Sequence, residues 1–327
     1  MAQNRRTFLA ATAALAAIPF ARAQQTGNKA QVGALSLFRP EIDAHLAKAM
    51  KGRMAALGWI EGQTVEYTFR YAMNQPARLP ALAAELFASP VSVIFAGGGG
   101  PTQALKKAGG TTPVVFAAVN KPVERGFVKS LARPGGTMTG VVTFQSVELV
   151  GKRLELLKET LPGATRVGIL ANKAGPFDAF IAAQAEAAKS LGLHTTVHVV
   201  HSASEIEAAF ASMVAAKAQA GFVGIGQLLW KERKLLGALS KQHAIPMIAG
   251  AEEYANAGCL LAYAIDYVAQ VERAAEMIDK ILRGASPADI PVELPDRFKL
   301  VVSAKVAHEL GVSIPQSVLL RADRVIE

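Results

Sequence analysis

The amino-acid sequence predicts an α/β protein made of two doubly wound, parallel-sheet lobes. Three observations predict this class. Short apolar runs alternate with segments whose apolar residues recur every three or four positions, the order that gives parallel strands linked by helices. The alternation begins again after residue 143, and each round spans roughly 110 to 120 residues, an ordinary domain size. With 327 residues, 51% of them hydrophobic, the chain can bury two cores.

In the first lobe, apolar runs predict strands and a period of 3.6 residues predicts helices. The predicted strands are 31–38, 65–71, 91–96, 114–119 and 137–143, and the predicted helices are 42–57, 78–88, 102–108 and 123–131. This β-α-β order implies right-handed crossovers between neighbouring parallel strands.

The second lobe repeats the pattern. Its predicted helices are 147–161, 177–191, 203–218 and 230–243, and its predicted strands are 166–171, 195–200, 221–225 and 245–249. An apolar run that ends at Tyr263 and a long helix over 266–282 follow.

The end of the chain departs from simple alternation. Segment 290–300 contains Pro291 and Pro295, which favour an extended linker or an edge strand. The chain is therefore expected to pass between the lobes more than once and to form a hinge of several strands. We assign residues 30–143 and about 265–285 to the N-terminal lobe. Residues 144–264 and about 286–327 form the C-terminal lobe.

Residues 1–23 have the features of a signal peptide. Arg5 and Arg6 precede an apolar stretch over 8–20, and the small-residue ending Ala21-Arg22-Ala23 suits signal peptidase. The arginine pair resembles a twin-arginine export signal. An apolar core of about 13 residues is too short to span about 30 Å of hydrocarbon. We expect removal of this segment and a periplasmic protein; the alternative is a retained amphipathic anchor.

Composition argues against several function classes. Net charge is +9, and removal of the signal peptide leaves 32 basic and 26 acidic residues, scattered and without a nucleic-acid-binding motif. The single cysteine, Cys259, permits no intramolecular disulfide. No G-x-S-x-G or H-E-x-x-H motif is present. We therefore predict a protein that is not an enzyme, has no cofactor, metal or nucleic-acid partner, and acts as a monomer.

Four stretches together resemble one family, the ABC-transporter substrate-binding proteins that include tryptophan and tyrosine binders. They read LGWIEGQTVEYTFRYAMNQPARLPALAAEL, PVVFAAVNKPVERGFVKSLARPGGTMTGV, KRLELLKETLPGATRVGIL and RFKLVVSAKVAHELGVSIPQSVLLRADRVIE. The likeness extends over residues 31–327. It implies a type I periplasmic-binding-protein fold, with three crossover strands, ligand in the cleft between the lobes and an ABC permease as partner.

The glycine run 97–100 follows a strand and opens a helix, where free amides favour carboxylates or phosphates. The run matches neither the Walker pattern nor G-x-G-x-x-G. In the resembled family this loop holds the ligand's carboxylate, partly through a hydroxyl. Here Gly98, Gly99 and Gly100 leave only the amides. The alternative is a tight turn without a ligand.

Other candidates follow neighbouring strands, where ligands of open α/β sheets collect. Asn120 and Lys121 stand where the family commonly has Thr-Asp, so Lys121 would reverse the local charge preference. Lys121 and Arg39 together favour a ligand that bears one or more carboxylates. The alternative for Lys121 is a solvated loop charge.

In the second lobe, Asn172 and Gln227 are placed to offer amide hydrogen bonds. Asp266 would receive an α-ammonium group or cap the long helix. Aromatic residues near strand ends would enclose the ligand or pack in the core, and these are Phe38, Phe177, Tyr254 and Tyr263.

The sequence thus predicts a periplasmic protein that binds a small carboxylate-bearing ligand and delivers it to an ABC importer. An amino acid is the first candidate for this ligand. Two alternatives stay open. One is a sensor module that presents ligand to a receptor, and the other is an α/β hydrolase.

Overall fold

The computed structural model describes residues 29–143, 149–172, 177–224 and 226–327. They form two sheets, one of five strands and one of seven, each covered by helices. The predicted signal peptide lies outside the described residues.

The first sheet is parallel throughout, with strand order β2-β1-β3-β4-β5. Its strands are β1 (Ala30–Ser36), β2 (Val65–Tyr71), β3 (Val93–Gly97), β4 (Val114–Val119) and β5 (Met138–Val142). Three helices of this part of the chain are α1 (Pro40–Ala56), α2 (Leu79–Ala88) and α3 (Gly99–Ala108). Each of these strands and helices matches a predicted segment to within a few residues. The strands could be predicted because strands that are buried on both faces appear in the sequence as apolar runs.

The second sheet has the order β12-β11-β10-β9-β8-β6-β7. Its strands are β6 (Arg166–Asn172), β7 (His194–Val200), β8 (Ala220–Val223), β9 (Met247–Ala249), β10 (Leu261–Ile265), β11 (Phe298–Ser303) and β12 (Arg324–Ile326). The accompanying helices are α4 (Val150–Thr160), α5 (Phe177–Ser190), α6 (Ile206–Ala215), α7 (Gln227–Lys231), α8 (Arg233–Gln242), α9 (Glu252–Asn256), α10 (Tyr267–Leu282), α11 (Ala304–Glu309) and α12 (Gln316–Leu319).

The second sheet is parallel except at one pair, because β11 runs antiparallel to β10. After β10 the chain leaves the second sheet, and it returns to β11 at the edge where β10 ended. A strand that enters at that edge has to run in the opposite direction.

Two predictions need correction. Residues 123–131 form turns and not a helix. Phe127 donates its amide to the Pro122 carbonyl at 2.8 Å, and Gly126 has φ of +63°, so the helical ladder cannot continue. The helix predicted over 230–243 is split into α7 and α8 at Glu232, whose φ and ψ of −90° and 15° are not α-helical.

The part of the chain that the structure describes connects the two sheets three times. It crosses from β5 to α4, from β10 to α10, and again between α10 and β11. Helix α10 packs against α1 and β4 of the first lobe and buries Ala274, Ala275 and Ile278 there. Ile290 and Val292 are also buried in the first lobe's clusters, so the third crossing begins near residue 293, later than the predicted boundary near 285.

The crossing segments are hydrogen-bonded to one another. The amide of Val142 donates to the Glu293 carbonyl at 2.9 Å, and the amide of Glu293 donates to the Gly140 carbonyl at 3.0 Å. The side-chain Nε2 of Gln270 donates to the Val142 carbonyl at 2.8 Å. The end of β5, the start of α10 and the returning chain therefore form one hinge.

We predict that Gly140→Ala strongly destabilises the protein. A Cβ atom at Gly140 would fall on the Phe116 carbonyl oxygen, at the point where the pairing of β4 and β5 shifts register. Moving that backbone costs about 3 kcal/mol in the free energy of unfolding. Urea denaturation followed by circular dichroism measures it.

Gly52→Ala is the matched control. A Cβ at Gly52, inside α1, meets nothing within 4 Å, so alanine gains about 0.5–1 kcal/mol from helix propensity. Equal unfolding midpoints for the two variants would contradict the packing described at Gly140.

Candidate functional site

The predicted site residues of the first lobe lie where parallel strands end. Phe38 and Arg39 follow β1, Gly98 follows β3 and Asn120 follows β4. Because β1, β3 and β4 are neighbours in the sheet, their loops adjoin at one edge. Phe38 is 39% exposed and Arg39 is exposed, so both side chains are accessible there.

The glycine loop places the start of α3 at this edge. Gly98 is the N-cap residue with φ of +93°, and its amide donates to the Ala117 carbonyl at 2.9 Å. Gly99 and Gly100 are the first two helical residues, so their amides point out of the helix end. A Cβ at Gly100 would only touch Leu79, at 3.4 Å.

Arg125, which the sequence analysis did not single out, places its positively charged side chain over the same loop. The Nη2 of Arg125 donates to the Gly99 carbonyl at 2.9 Å, and its guanidinium stacks 4.7 Å from the Phe127 ring centre. A Cβ at Gly99 would collide with Arg125. Partial burial lowers the pKa of Arg125, which remains a cation at neutral pH.

The end of β4 and the loop that follows it carry unusual backbone. Ala118 and Lys121 have φ of +57° and +48°, values that L-residues with side chains rarely adopt. Such strain is commonly found at functional sites. Asn120 between them is half-buried. The Lys121 ammonium pairs with Glu124 at 3.0 Å, and both side chains are mostly exposed, which agrees with a solvated loop charge.

Asn172 ends β6 in the second lobe. Its Nδ2 donates to the Val200 carbonyl at 2.9 Å, and a Cβ at Gly226 would lie 2.7 Å from its Oδ1. Phe177 is half-buried at the first residue of α5 and packs on the lobe's core. Gln227 is the first residue of α7, and its side chain lies outside what the structure describes.

The remaining predicted residues lie near the second crossing. Tyr254 is 5% exposed, and burial raises the pKa of its hydroxyl. The Tyr263 ring stacks on Phe298 with centroids 5.8 Å apart. Asp266 accepts the Ala269 amide at 3.1 Å as the N-cap of α10, and it also pairs with Lys299 at 3.2 Å. Asp266 therefore caps α10, which was the alternative to a role in binding an α-ammonium group.

A pocket of about 210 Å³ opens at the carboxyl ends of β8 and β9. It is lined by Arg153, Phe180, Phe222, Val223, Gly224, Gly226, Trp230, Gly250, Ala251 and Tyr254. The Trp230 and Tyr254 rings meet at an angle, with centroids 6.2 Å apart. Of these residues the sequence analysis singled out only Tyr254.

Arg153 is the main residue that sequence reasoning missed. It is 3% exposed, and its Nε donates to the Tyr263 carbonyl at 2.8 Å. Burial lowers the pKa of Arg153 to about 10, so the guanidinium is charged at neutral pH. The sequence does contain a signal for this residue, which is a charged side chain on the apolar face of a helix. Arg153 shares that face of α4 with Val150, Leu154 and Leu157.

Within the described ranges, no helix is long and apolar enough to cross a lipid bilayer. The same part of the chain contains no group of three or more histidine, cysteine, aspartate or glutamate side chains arranged to hold a metal ion.

Comparison with known proteins agrees with this geometry. The family model described as ABC transporter substrate binding protein matches residues 41–326. A curated relative, the tyrosine-binding protein of Clostridioides difficile (strain R20291), is 28% identical over 262 residues, which cover 79% of this chain and 75% of that protein.

Two solved structures share the fold. One is an ABC domain in complex with L-Trp from Streptococcus pneumoniae, 26% identical with a TM-score of 0.75, covering 91% of this chain and all of that one. The other is a ligand-free, open substrate-binding protein with adhesive properties from Clostridium difficile. It is 24% identical with a TM-score of 0.78, and covers 91% of this chain and 99% of that one.

We predict that Asp266→Ala lowers the free energy of unfolding by about 1 kcal/mol, the usual value of an N-cap. Asp266→Asn keeps an oxygen that can accept the Ala269 amide and should lose much less, although it removes the charge opposite Lys299. Urea titration of both variants distinguishes cap from ion pair. An asparagine variant as unstable as the alanine variant would show that the ion pair dominates.

Proposed function

We propose, from the premise that this chain belongs to the ABC transporter substrate-binding protein family, that it delivers a small carboxylate-bearing solute to an ABC importer. The solute in question is an amino acid, with aromatic amino acids the first candidates. The relatives support this choice, since one is named a tyrosine-binding protein and another was solved with L-Trp.

The observation that carries the proposal is the position of the polar loops. In both sheets they follow the carboxyl ends of adjacent parallel strands, which is where open α/β sheets bind ligands. The amides of Gly99 and Gly100 and the side chain of Asn120 would serve one lobe. Asn172 and the aromatic pocket would serve the other.

The proposed mechanism is hinge closure. Ligand that touches both lobes has higher affinity for the closed form, so binding shifts the population toward closure. The three crossing segments are the elements about which the lobes would rotate. The closed protein would then dock on the permease and release its ligand.

The proposed location is outside the cytoplasm, as expected for a protein that feeds an importer. It rests on the family and on the signal-peptide pattern of residues 1–23. A single chain contains both lobes, so a monomer is sufficient for this function.

Mass spectrometry of the small molecules that co-purify with the protein tests the proposal directly. Calorimetry with a panel of amino acids, organic acids, sugars and polyamines then measures affinity. We expect an amino acid or related carboxylate to bind with one-to-one stoichiometry. Absence of binding by every compound in the panel would contradict the proposed function.

Two variants test the position of the site in the same assay. Asn120→Ala and Asn172→Ala should each weaken the best compound about tenfold, the effect of one lost hydrogen bond worth about 1.4 kcal/mol. Asn256→Ala is the control, because Asn256 lies on α9 and binds Arg324 at 2.9 Å. Unchanged affinity in both test variants would show that the site lies elsewhere.

A further inference from the structure

We propose that Asp43, at the end of β1 in the first lobe, binds the ammonium group of the solute, and that Ser36 positions the Asp43 carboxylate for this role. The inference rests on the proposed solute-binding function and deepens it. It assigns the residue that distinguishes an α-amino acid from an acid without an amino group.

The acid that the sequence analysis assigned to this role is engaged elsewhere. Asp266 caps α10 and pairs with Lys299. A ligand with an ammonium group therefore calls for another carboxylate at the strand ends. Asp43 lies in the first turn of α1, seven residues after Ser36, the last residue of β1.

Ser36 holds the Asp43 carboxylate at the end of β1. The Ser36 hydroxyl donates to Oδ2 of Asp43, and its oxygen accepts the amide of Phe38 at 3.0 Å. These two bonds fix one carboxylate oxygen relative to the strand end. The other oxygen, Oδ1, accepts no hydrogen bond from the residues that the structure describes. A ligand's N–H group would donate to that oxygen.

The charge of Asp43 is poorly compensated within the described ranges, where no lysine or arginine forms an ion pair with it. Its attractive charged neighbour there is His45, which is exposed two positions further along α1. Burial raises the pKa of the Asp43 carboxyl, and the Ser36 hydrogen bond and His45 offset only part of that rise. A partly desolvated carboxylate gains more from an added cation than an exposed one does.

The sheet leaves room beside this carboxylate. Ser36 is in register with Tyr71 on β2 and with Gly97 on β3, so positions 36, 71 and 97 share one face of the sheet. Of the described atoms, a Cβ at Gly97 would meet only the Leu35 carbonyl oxygen and the Phe95 ring, at 3.7 and 3.8 Å. Both are ordinary contacts, so the glycine leaves space for a group the size of an ammonium next to Ser36.

Tyr71, the other neighbour of Ser36, is compatible with a cation. Burial and then the Asp43 charge raise the pKa of its hydroxyl, so the phenol is neutral at physiological pH. Its ring stacks on Phe69 with centroids 5.9 Å apart, which fixes its orientation. The face of an aromatic ring attracts ammonium groups.

The backbone around this site is held in place by the loop after β2. The amide of Asn74 donates to the Leu37 carbonyl at 2.8 Å. Met73 and Asn74 have φ of +57° and +61°, two successive values that residues with side chains rarely adopt. Such strain is commonly found at functional sites, where it fixes the binding groups before the ligand arrives.

The position of the glycine loop explains why an α-amino acid fits. Gly97 leads directly into the amides of Gly99 and Gly100, which the proposed function assigns to the ligand's carboxylate. Neighbouring strands lie about 4.8 Å apart, so the ends of β1 and β3 are close together. An α-amino acid carries its ammonium and its carboxylate on one carbon atom, and the two strand ends offer one partner for each.

The test compares each amino acid with the acid that lacks its amino group. The probes are L-tyrosine, L-tryptophan, L-phenylalanine and L-leucine with 3-(4-hydroxyphenyl)propanoate, 3-(indol-3-yl)propanoate, 3-phenylpropanoate and 4-methylpentanoate, measured by calorimetry. The unaltered protein should bind at least one amino acid about 30-fold or more tightly than its partner acid. Asp43→Asn should reduce this ratio to below about threefold.

Glu41→Gln is the matched control, because Glu41 is an exposed acid in the same turn of α1. This variant should keep the ratio of the unaltered protein. Asp43→Asn retains an oxygen that can accept the Ser36 hydroxyl, so it removes the charge and keeps the local structure. A purely structural role of Asp43 would weaken both compounds of a pair equally and leave the ratio unchanged.

Ser36→Ala is the second variant, and it also serves if Asp43→Asn does not fold. It keeps the Asp43 charge but removes the hydroxyl that positions it, so the ratio should fall about fivefold, the effect of one hydrogen bond. A ratio equal to that of the unaltered protein would contradict the positioning role of Ser36.

Three outcomes overturn the proposal for Asp43. An unchanged ratio in Asp43→Asn places the ammonium group elsewhere. Equal affinities of the unaltered protein for an amino acid and its partner acid show that the ammonium group is not recognised. Binding of an acid without an amino group, but of none of the four amino acids, leaves the proposed function intact and rejects this assignment, whereas binding of no compound rejects the proposed function itself.

Discussion

Three crossings of the chain between two sheets constrain everything else in this structure. The crossing segments are not independent linkers, since Val142 and Glu293 are paired through the backbone and Gln270 bonds the same strand end. Two lobes joined in this way cannot slide or separate without breaking those bonds. Rotation about the joined segments is the motion that we propose, and it would open and close the edges where the parallel strands end.

The residues that build the second lobe's pocket also contact the hinge. Arg153 lies on α4, directly after the first crossing, and donates to Tyr263 in the strand that leads into the second. Asp266 caps α10 just after that strand and pairs with Lys299 on the strand that returns. A ligand bound in this pocket would therefore lie next to the segments about which we propose that the lobes rotate.

The sequence predicted the features that depend on local pattern and missed those that depend on where distant segments meet. The alternation of strands and helices and the opening of a helix at the glycine run 97–100 are local features, because burial on both faces of a strand and a run of glycine leave a pattern in the sequence. The antiparallel direction of β11 depends on the edge at which the third crossing re-enters the second sheet, and no local pattern reveals that edge. Arg153 appeared as an ordinary basic residue of an amphipathic helix, and Gly250, 97 residues later, is what admits its guanidinium to the pocket.

Closure of the two lobes over a ligand is the central claim, and the distance between them tests it most directly. Cys259 is fully buried, so cysteines introduced at Glu41 and Asp178, both exposed in the first turns of α1 and α5, accept fluorescent labels selectively. Energy transfer between them is measured while the best-binding compound is titrated. The account predicts a shorter distance that saturates with the calorimetric affinity, and a distance unchanged at full occupancy would contradict it.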